Sequence, residues 1–319
     1  MASLFPEPPA EAISRAQELS AKLNRANHEY YVLSRPSMSD AQWDELFHEL
    51  RKLEEAYPSL RTKDSPTQRV GAPSRDDMPK VEHDPPMFSL ANAMNADEVR
   101  EFWRRMEKEL GSFELVCEPK FDGLSIDIVY LDGEYWQAST RSDGEIGEDV
   151  TANVLTIEGL PRSLNLKRGE KAPRRVAIRG EILMLKADFL ALNNDLEEAG
   201  QPAFANPRNA ASGALRQLDP EKTRERRLSM FLYQIGRIDG GDAPATQMES
   251  LELLNRWGFP VADLARLAKS EDEAVGAYEA LEAKRHELPF EVDGMVFKVQ
   301  DLTQQAELGY RSRTPRWAV

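Results

Sequence analysis

The first strong signal along the chain is a recurrence of apolar positions at three- and four-residue steps. Ile13, Ala16, Leu19, Leu23, Ala26 and Tyr30 predict an amphipathic helix with one buried stripe. A second helix is predicted from the capping-box start Ser39-Asp40-Ala41-Gln42, with Trp43, Leu46, Phe47, Leu50 and Leu53 on one face and Pro58 as its stop. From Asp64 to Pro86 the periodicity fades and Pro, Asp and Ser accumulate. That stretch predicts a linker between a small helical domain, residues 1–70, and a larger domain, residues 71–319.

Beyond Pro86 the pattern is mixed. Alternating or continuous apolar runs predict strands over 115–118, 124–131, 134–139, 176–185, 228–236 and 290–299, with Asp132-Gly133 as a hairpin turn between the second and third. Helical periods fall over 96–110, 187–199, 248–257 and 271–286. Hairpin-joined strands interrupted by helices predict an α+β fold of largely antiparallel sheets flanked by helices. No G-x-G-x-x-G follows a strand, so a doubly wound dinucleotide fold has no support, and there is no internal repeat or low-complexity block.

Composition narrows the class further. A chain of 319 residues with 41% hydrophobic content can bury a large core. No apolar run approaches the roughly 18 residues of a membrane span, and the N-terminus lacks the basic flank and apolar core of a signal peptide. The expectation is a soluble cytoplasmic protein with no membrane partner. Cys117 is the single cysteine, which excludes an internal disulfide or a multi-cysteine zinc site here and reads as strand packing. The net charge of −14 argues against coating nucleic acid by bulk electrostatics, because such binding neutralises phosphates. Any contact with DNA has to be local. The basic runs are Arg162 to Arg175, Lys222 to Arg227 and the tail residues Arg311, Arg313 and Arg316, each of which reads first as a solvated face.

The most informative chemistry lies in Glu118-Pro119-Lys120-Phe121-Asp122-Gly123, just before the alternating run Leu124 to Tyr130. Side chains two apart on a strand share a face, so Lys120 projects with Glu118 and Asp122, while Gly123 permits close backbone approach or positive φ. Free lysine has a pKa near 10.4, so about one amine in a few thousand is neutral at pH 7. A nucleophilic lysine therefore needs desolvation or a nearby cation such as Mg²⁺, and flanking carboxylates oppose it unless metal or substrate hydroxyls occupy them. On spacing alone, Lys-x-Asp-Gly equally describes a surface lysine paired with acids. Three further segments weigh against that: Ala138 to Gly144, Ile178-Arg179-Gly180-Glu181-Ile182, and Glu291-Val292-Asp293-Gly294-Met295-Val296-Phe297-Lys298.

Together, in this order, the four segments resemble the motifs of covalent nucleotidyltransferases, the superfamily of DNA ligases, RNA ligases and capping enzymes. Two more stretches, Phe204 to Gln217 and Tyr30-Tyr31 to Asp44, make the chain resemble bacterial NAD⁺-dependent DNA ligase from about residue 12 onward. The resemblance implies a helical domain that binds nicotinamide mononucleotide (NMN), followed by an ATP-grasp-like nucleotidyltransferase domain. It implies that Lys120 attacks the α-phosphorus of NAD⁺, forming Lys-AMP and releasing NMN, with Asp122 orienting the lysine or a metal shell. Ser89 and Leu90 match the adenine pocket, Glu118 and Lys298 the adenine edge, and Arg141 and Glu181 the ribose. Arg208, Arg216, Arg285 and Lys298 are the cations expected near phosphate or leaving group. Tyr30, Tyr31, Asp40, Trp43 and Asp44 match the NMN site, where rings stack on pyridinium and carboxylates offset its charge. Asp293 is left open between chemistry and structure, since Asp-Gly also marks a turn.

The implied cofactors are NAD⁺ as AMP donor and Mg²⁺ or Mn²⁺ in a mostly aqueous shell, with zinc confined to downstream modules beyond this sequence. The implied partners are NAD⁺, AMP, NMN and nicked duplex DNA, the last held weakly by this piece, which is expected to be a monomer and nucleoid-associated in use. Two departures stand out. Trp43 sits where tyrosine is expected, keeping the stacking surface but losing the phenolic hydroxyl. The sequence also stops just before the family's last adenylation-domain lysine, which implies slowed adenylation. Without the resemblance, Tyr30 and Trp43 read as helix core, and His28 and His83 read as capping or packing residues. Competing expectations are an ATP- or GTP-using ligase or capping enzyme, and a non-catalytic nucleotide-binding relative.

Overall fold

The computed structural model describes residues 7–31, 37–62, 65–67 and 78–319, apart from the side chains of His28, Tyr30, Tyr31, Asp40 and Ala41. In chain order its elements begin α1 (Ala10–Tyr31), α2 (Asp40–Ala56), β1 (Lys80–Glu82), α3 (Ala96–Leu110), β2 (Leu115–Phe121), β3 (Leu124–Leu131) and β4 (Glu134–Thr140). They continue with β5 (Ile146–Glu148), α4 (Thr151–Val154), β6 (Arg175–Leu183), α5 (Lys186–Glu198), α6 (Pro207–Leu215), α7 (Pro220–Glu225) and β7 (Ser229–Asp239). The last are α8 (Gln247–Arg256), β8 (Arg266–Ala268), α9 (Glu271–Lys284), β9 (Val292–Val299), α10 (Leu302–Leu308), β10 (Tyr310–Arg311) and β11 (Thr314–Pro315).

The contacts divide the chain into two units: residues up to Glu82 together with Arg141–Glu148, and His83–Thr140 together with Asp149–Val319. In the first, α1 and α2 bury Ala16, Leu19, Leu23 and Leu50 against Trp43, Leu46, Phe47, Leu53 and Leu60. Ser39 forms both halves of the capping box with Gln42, as the local sequence demands. The expected linker is in part ordered strand, because Lys80–Glu82 pairs antiparallel with Ile146–Glu148. Three-residue strands are too short to show a period.

The second unit holds two larger antiparallel sheets, one ordered β4-β3-β6-β7 and the other β8-β2-β9, and the small antiparallel pair β10-β11. The α+β expectation is thus met, and α3 and β3 occupy the predicted ranges. At the hairpin between β3 and β4, Asp132 and Gly133 both take positive φ, 50° and 84°, as a type I′ turn requires. Strand alternation then sorts the three-stranded sheet. Leu115, Cys117, Phe297 and Val299 point into a core shared with Phe102, Trp103, Met106 and Val275 from α3 and α9. The opposite, even-numbered face carries Glu118 and Lys298.

Candidate functional site

The site is built where β2 and β9 of one sheet meet β7 of the other. Aromatic packing joins them: the Phe121 ring stacks on Phe231 at 5.0 Å and tilts against Phe290 at 5.5 Å. Across β2 and β9, Glu118 lies opposite Val296 and Val116 opposite Lys298, so Glu118 and Lys298 are diagonal neighbours on one face. Their long side chains close the gap, and Lys298 Nζ donates to Glu118 Oε2 at 2.9 Å. Both groups are buried. The ammonium also lies 5.0 Å from the centroid of the Tyr233 ring, a cation–π arrangement, and 3.4 Å from that residue's carbonyl oxygen.

Lys120 owes its partner to an irregularity in the ladder. Pro119 pairs with Met295 but Phe121 pairs with Val292, so Asp293 and Gly294 together oppose Lys120. Gly294 takes φ of 129°, a conformation that side chains rarely tolerate. The bulge brings Asp293 Oδ2 within 2.9 Å of Lys120 Nζ, with the two side chains 49% and 42% exposed. Asp-Gly here marks a bulge inside a strand rather than a turn. Pro119 is tolerated because β8 pairs only with Leu115, Val116 and Cys117, leaving no partner on that side for its missing N–H.

Asp122 and Lys120 find different partners. Asp122 lies just past the end of β2, and its carboxylate accepts from Arg208 Nη1 at 3.0 Å. Arg208 stands in the first turn of α6, a helix started by the Asn206 side chain and Pro207. Gly123 answers the close-approach alternative: a Cβ there would meet the Ile182 carbonyl oxygen at 2.3 Å and Glu181 Cγ at 2.9 Å. Beside it, Ser125 faces Glu181 across β3 and β6, and its hydroxyl donates to Glu181 Oε2 at 2.9 Å.

The other expected residues fall in several places. Leu90 packs against the core beneath β2, and Ser89 precedes it, partly buried. Arg216, buried at the end of α6, donates to Ser212 Oγ at 2.6 Å. Arg285 turns back toward Glu282 on its own helix at 3.5 Å and makes no contact with the Lys120 group among the described residues. Arg141 belongs to the first unit. There too, Trp43 stacks on Phe47 at 4.8 Å and its indole N–H donates to Asn27 at 2.8 Å, so this ring has a polar contact despite lacking a hydroxyl. Asp44 lies partly buried one residue further along α2. The side chains of Tyr30, Tyr31 and Asp40 lie outside the described residues.

Sequence reasoning did not single out Gln247, Ser125 or Tyr233. Gln247 Nε2 donates to Glu118 Oε1 and to the Tyr233 carbonyl, both at 2.8 Å. A glutamine at a predicted helix start carries no chemical signal, and only its burial and partners reveal it. Among the described residues no group of three or more His, Cys, Asp or Glu is placed to hold a metal ion. Asp122 and Asp293 are hard oxygen donors that suit Mg²⁺, which takes one or two carboxylates and fills its shell with water and substrate phosphate. The Lys120 amine is thus 42% exposed and paired with Asp293, while Arg208 is paired with Asp122.

Residues 75–319 match the family described as NAD-dependent DNA ligase adenylation domain, and residues 9–71 match DNA ligase-like, N-terminal NAD+-binding domain. A DNA ligase of Syntrophobacter fumaroxidans is 48% identical over 313 residues, covering 97% of this chain and 46% of that protein. One of Methylococcus capsulatus is 46% identical over 313 residues, covering 98% and 46%. One of Myxococcus xanthus is 48% identical over 311 residues, covering 97% and 46%. The chain spans about half the length of these relatives. With both matches lying in order along nearly its whole length, the chain belongs to the NAD-dependent DNA ligase family.

Proposed function

We propose that this chain is the self-adenylating part of a ligase that seals nicks in duplex DNA during replication and repair. The neutral Lys120 amine attacks the α-phosphorus of NAD⁺. The N–P bond forms, the bond from phosphorus to the bridging oxygen breaks, and that electron pair leaves with NMN while the amine gives up its proton. The observation that carries this reading is the position of Lys120: a strand-borne amine, 42% exposed, at hydrogen-bond distance from Asp293 within a matched adenylation domain. Asp293 is placed to hold the amine and to take its proton.

Glu118 and Lys298 are assigned to the adenine edge, Ser89 and Leu90 to its pocket, and Glu181 and Arg141 to the ribose. Arg208, Arg216 and Arg285 are assigned to phosphate and leaving group, with Asp122 fixing Arg208. Tyr30, Tyr31, Asp40, Trp43 and Asp44 are assigned to NMN. The functional division is set at 1–70 and 71–319, which the ranges of the two family matches support. Asp122 or Asp293 would hold Mg²⁺, which would supply charge compensation at the phosphates. In the longer protein the adenylate passes to the 5′-phosphate of a nick. This portion alone is assigned weak DNA binding, a monomeric state and a cytoplasmic location.

Intact-protein mass spectrometry tests the reading. Incubation with NAD⁺ and Mg²⁺ is expected to add one adenylate, about 329 Da, through covalent catalysis. Lys120→Ala is expected to abolish the gain. Labelling by ATP in preference to NAD⁺ would overturn the assignment of the donor.

A further inference from the structure

We propose that Gln247 determines base specificity by positioning: it fixes Glu118 as a hydrogen-bond acceptor for the 6-amino group of a purine, so that the site takes a 6-aminopurine dinucleotide and refuses its 6-oxo counterpart. The inference rests on the reading of Glu118 and Lys298 as the adenine edge. Gln247 is buried at the first position of α8, where the Thr246 side chain caps the helix. Its backbone N–H donates to the Gln300 carbonyl at 2.8 Å, which anchors the helix start beside the end of β9. From there the side chain reaches both sheets. Its Nε2 donates to Glu118 Oε1 on β2 and to the Tyr233 carbonyl on β7.

An amide nitrogen has two hydrogens, and both are committed. The Glu118 carboxylate is therefore held by one donor on each oxygen, Gln247 on Oε1 and Lys298 on Oε2. Its remaining lone pairs can only accept. A 6-amino group presents an N–H to them, whereas a 6-oxo group presents another lone pair, and two acceptors facing each other in a buried site are costly. Lys298 sorts the same pair of bases by donating to an unprotonated ring nitrogen and opposing a protonated one. The neutrality of Gln247 matters here. One carboxylate and one ammonium already balance, so a second cation would quench the acceptor and a second carboxylate would repel it.

The test compares Lys-AMP formation from NAD⁺ and from its deaminated analogue, which carries hypoxanthine in place of adenine. The protein is expected to prefer NAD⁺ in kcat/KM. Gln247→Leu is expected to shrink that preference about tenfold, the usual worth of a hydrogen bond to a charged group, chiefly through the KM for NAD⁺. Gln247→Glu keeps the side-chain volume and is expected to act in the same direction, so the inference does not depend on the fold tolerating leucine. An unchanged preference in either folded variant, or an equal fall with both dinucleotides, overturns the role of Gln247. Glu118→Gln separates the two levels. If it erases the preference while both Gln247 variants keep it, the adenine-edge reading stands and this inference fails. If Glu118→Gln itself leaves the preference intact, that reading fails.

Discussion

Lys120 and Asp293 meet because β9 carries one residue more than β2 at their crossing, and only glycine at 294 accommodates the resulting backbone. Asp293→Ala is expected to slow Lys-AMP formation about 100-fold, the scale of a lost proton acceptor, in single-turnover mass spectrometry. An unchanged rate would reduce the ion pair to a resting contact. Gly123 is a steric requirement of another kind. Its Cβ would strike the Ile182 carbonyl, which is backbone and gives little, so Gly123→Ala is expected to lower stability by about 1–3 kcal/mol in urea titrations. Full retention of stability would mean that β3 and β6 can part at that point. Both glycines stand inside recognisable motifs, and the sequence announces that they matter. It leaves open whether each is needed for φ or for space.

Apart from α3 and β3, the expected strands and helices recur with ends shifted by a few residues, and the short elements carried no periodic signal. Helix α6 was hidden although Asn206 and Pro207 are start signals, because Ala210-Ala211-Ser212-Gly213-Ala214 contains no large apolar stripe. Between β3 and β6 the register places Asp127 opposite Arg179, one step along the same face from the Ser125–Glu181 pair. Arg179 Nη2 donates to the carbonyls of Pro85 and Pro86 at 2.5 and 2.9 Å, and His83 Nδ1 lies 3.5 Å from Asp127 Oδ2. This buried group ties down the segment that leads to Ser89 and Leu90. Arg179→Ala removes the donor to the two proline carbonyls and the 3.9 Å ion pair of Arg179 with Asp127, and is expected to cost about 1–3 kcal/mol, read from the denaturant midpoint, and to weaken NAD⁺ binding. A loss of stability with affinity unchanged would show that the clamp serves the fold alone. His83, expected as a capping or packing residue, is buried with its Nε2 3.0 Å from the Thr140 carbonyl oxygen.

Burial pushes the Cys117 thiol up to about 12, and drives the Tyr130 and Tyr135 phenols upward as well. An unfolded thiol ionises near 8.5, so as pH rises past that value the unfolded chain sheds its proton first and the molecule loses stability toward pH 12. Below 8.5 this contribution is intact. Urea midpoints at pH 8 and pH 10 are expected to fall less in Cys117→Ala than in the parent, and equal falls would assign the decline to the tyrosines. On the proposed assignment of Asp44 to NMN, Asp44→Ala is expected to lose reaction with NAD⁺ while reversal of a preformed Lys-AMP by pyrophosphate is less affected. Equal loss in both would remove the nicotinamide role. Alternation alone sends Cys117 to one face of β2 and Glu118 and Lys120 to the other, although from Leu115 to Glu118 both faces are buried. Motif order along the chain announced the chemistry for the same local reason: each motif is a run of neighbours. Pairing across long separations was beyond that reach. Glu118 joins Lys298 and Gln247, 180 and 129 residues away, and Lys120 joins Asp293 across 173 residues. A pattern of apolar and polar positions encodes a face, whereas partners follow from ladder register, a single bulge, and the aromatic packing of Phe121, Phe231 and Phe290 that brings the two sheets together.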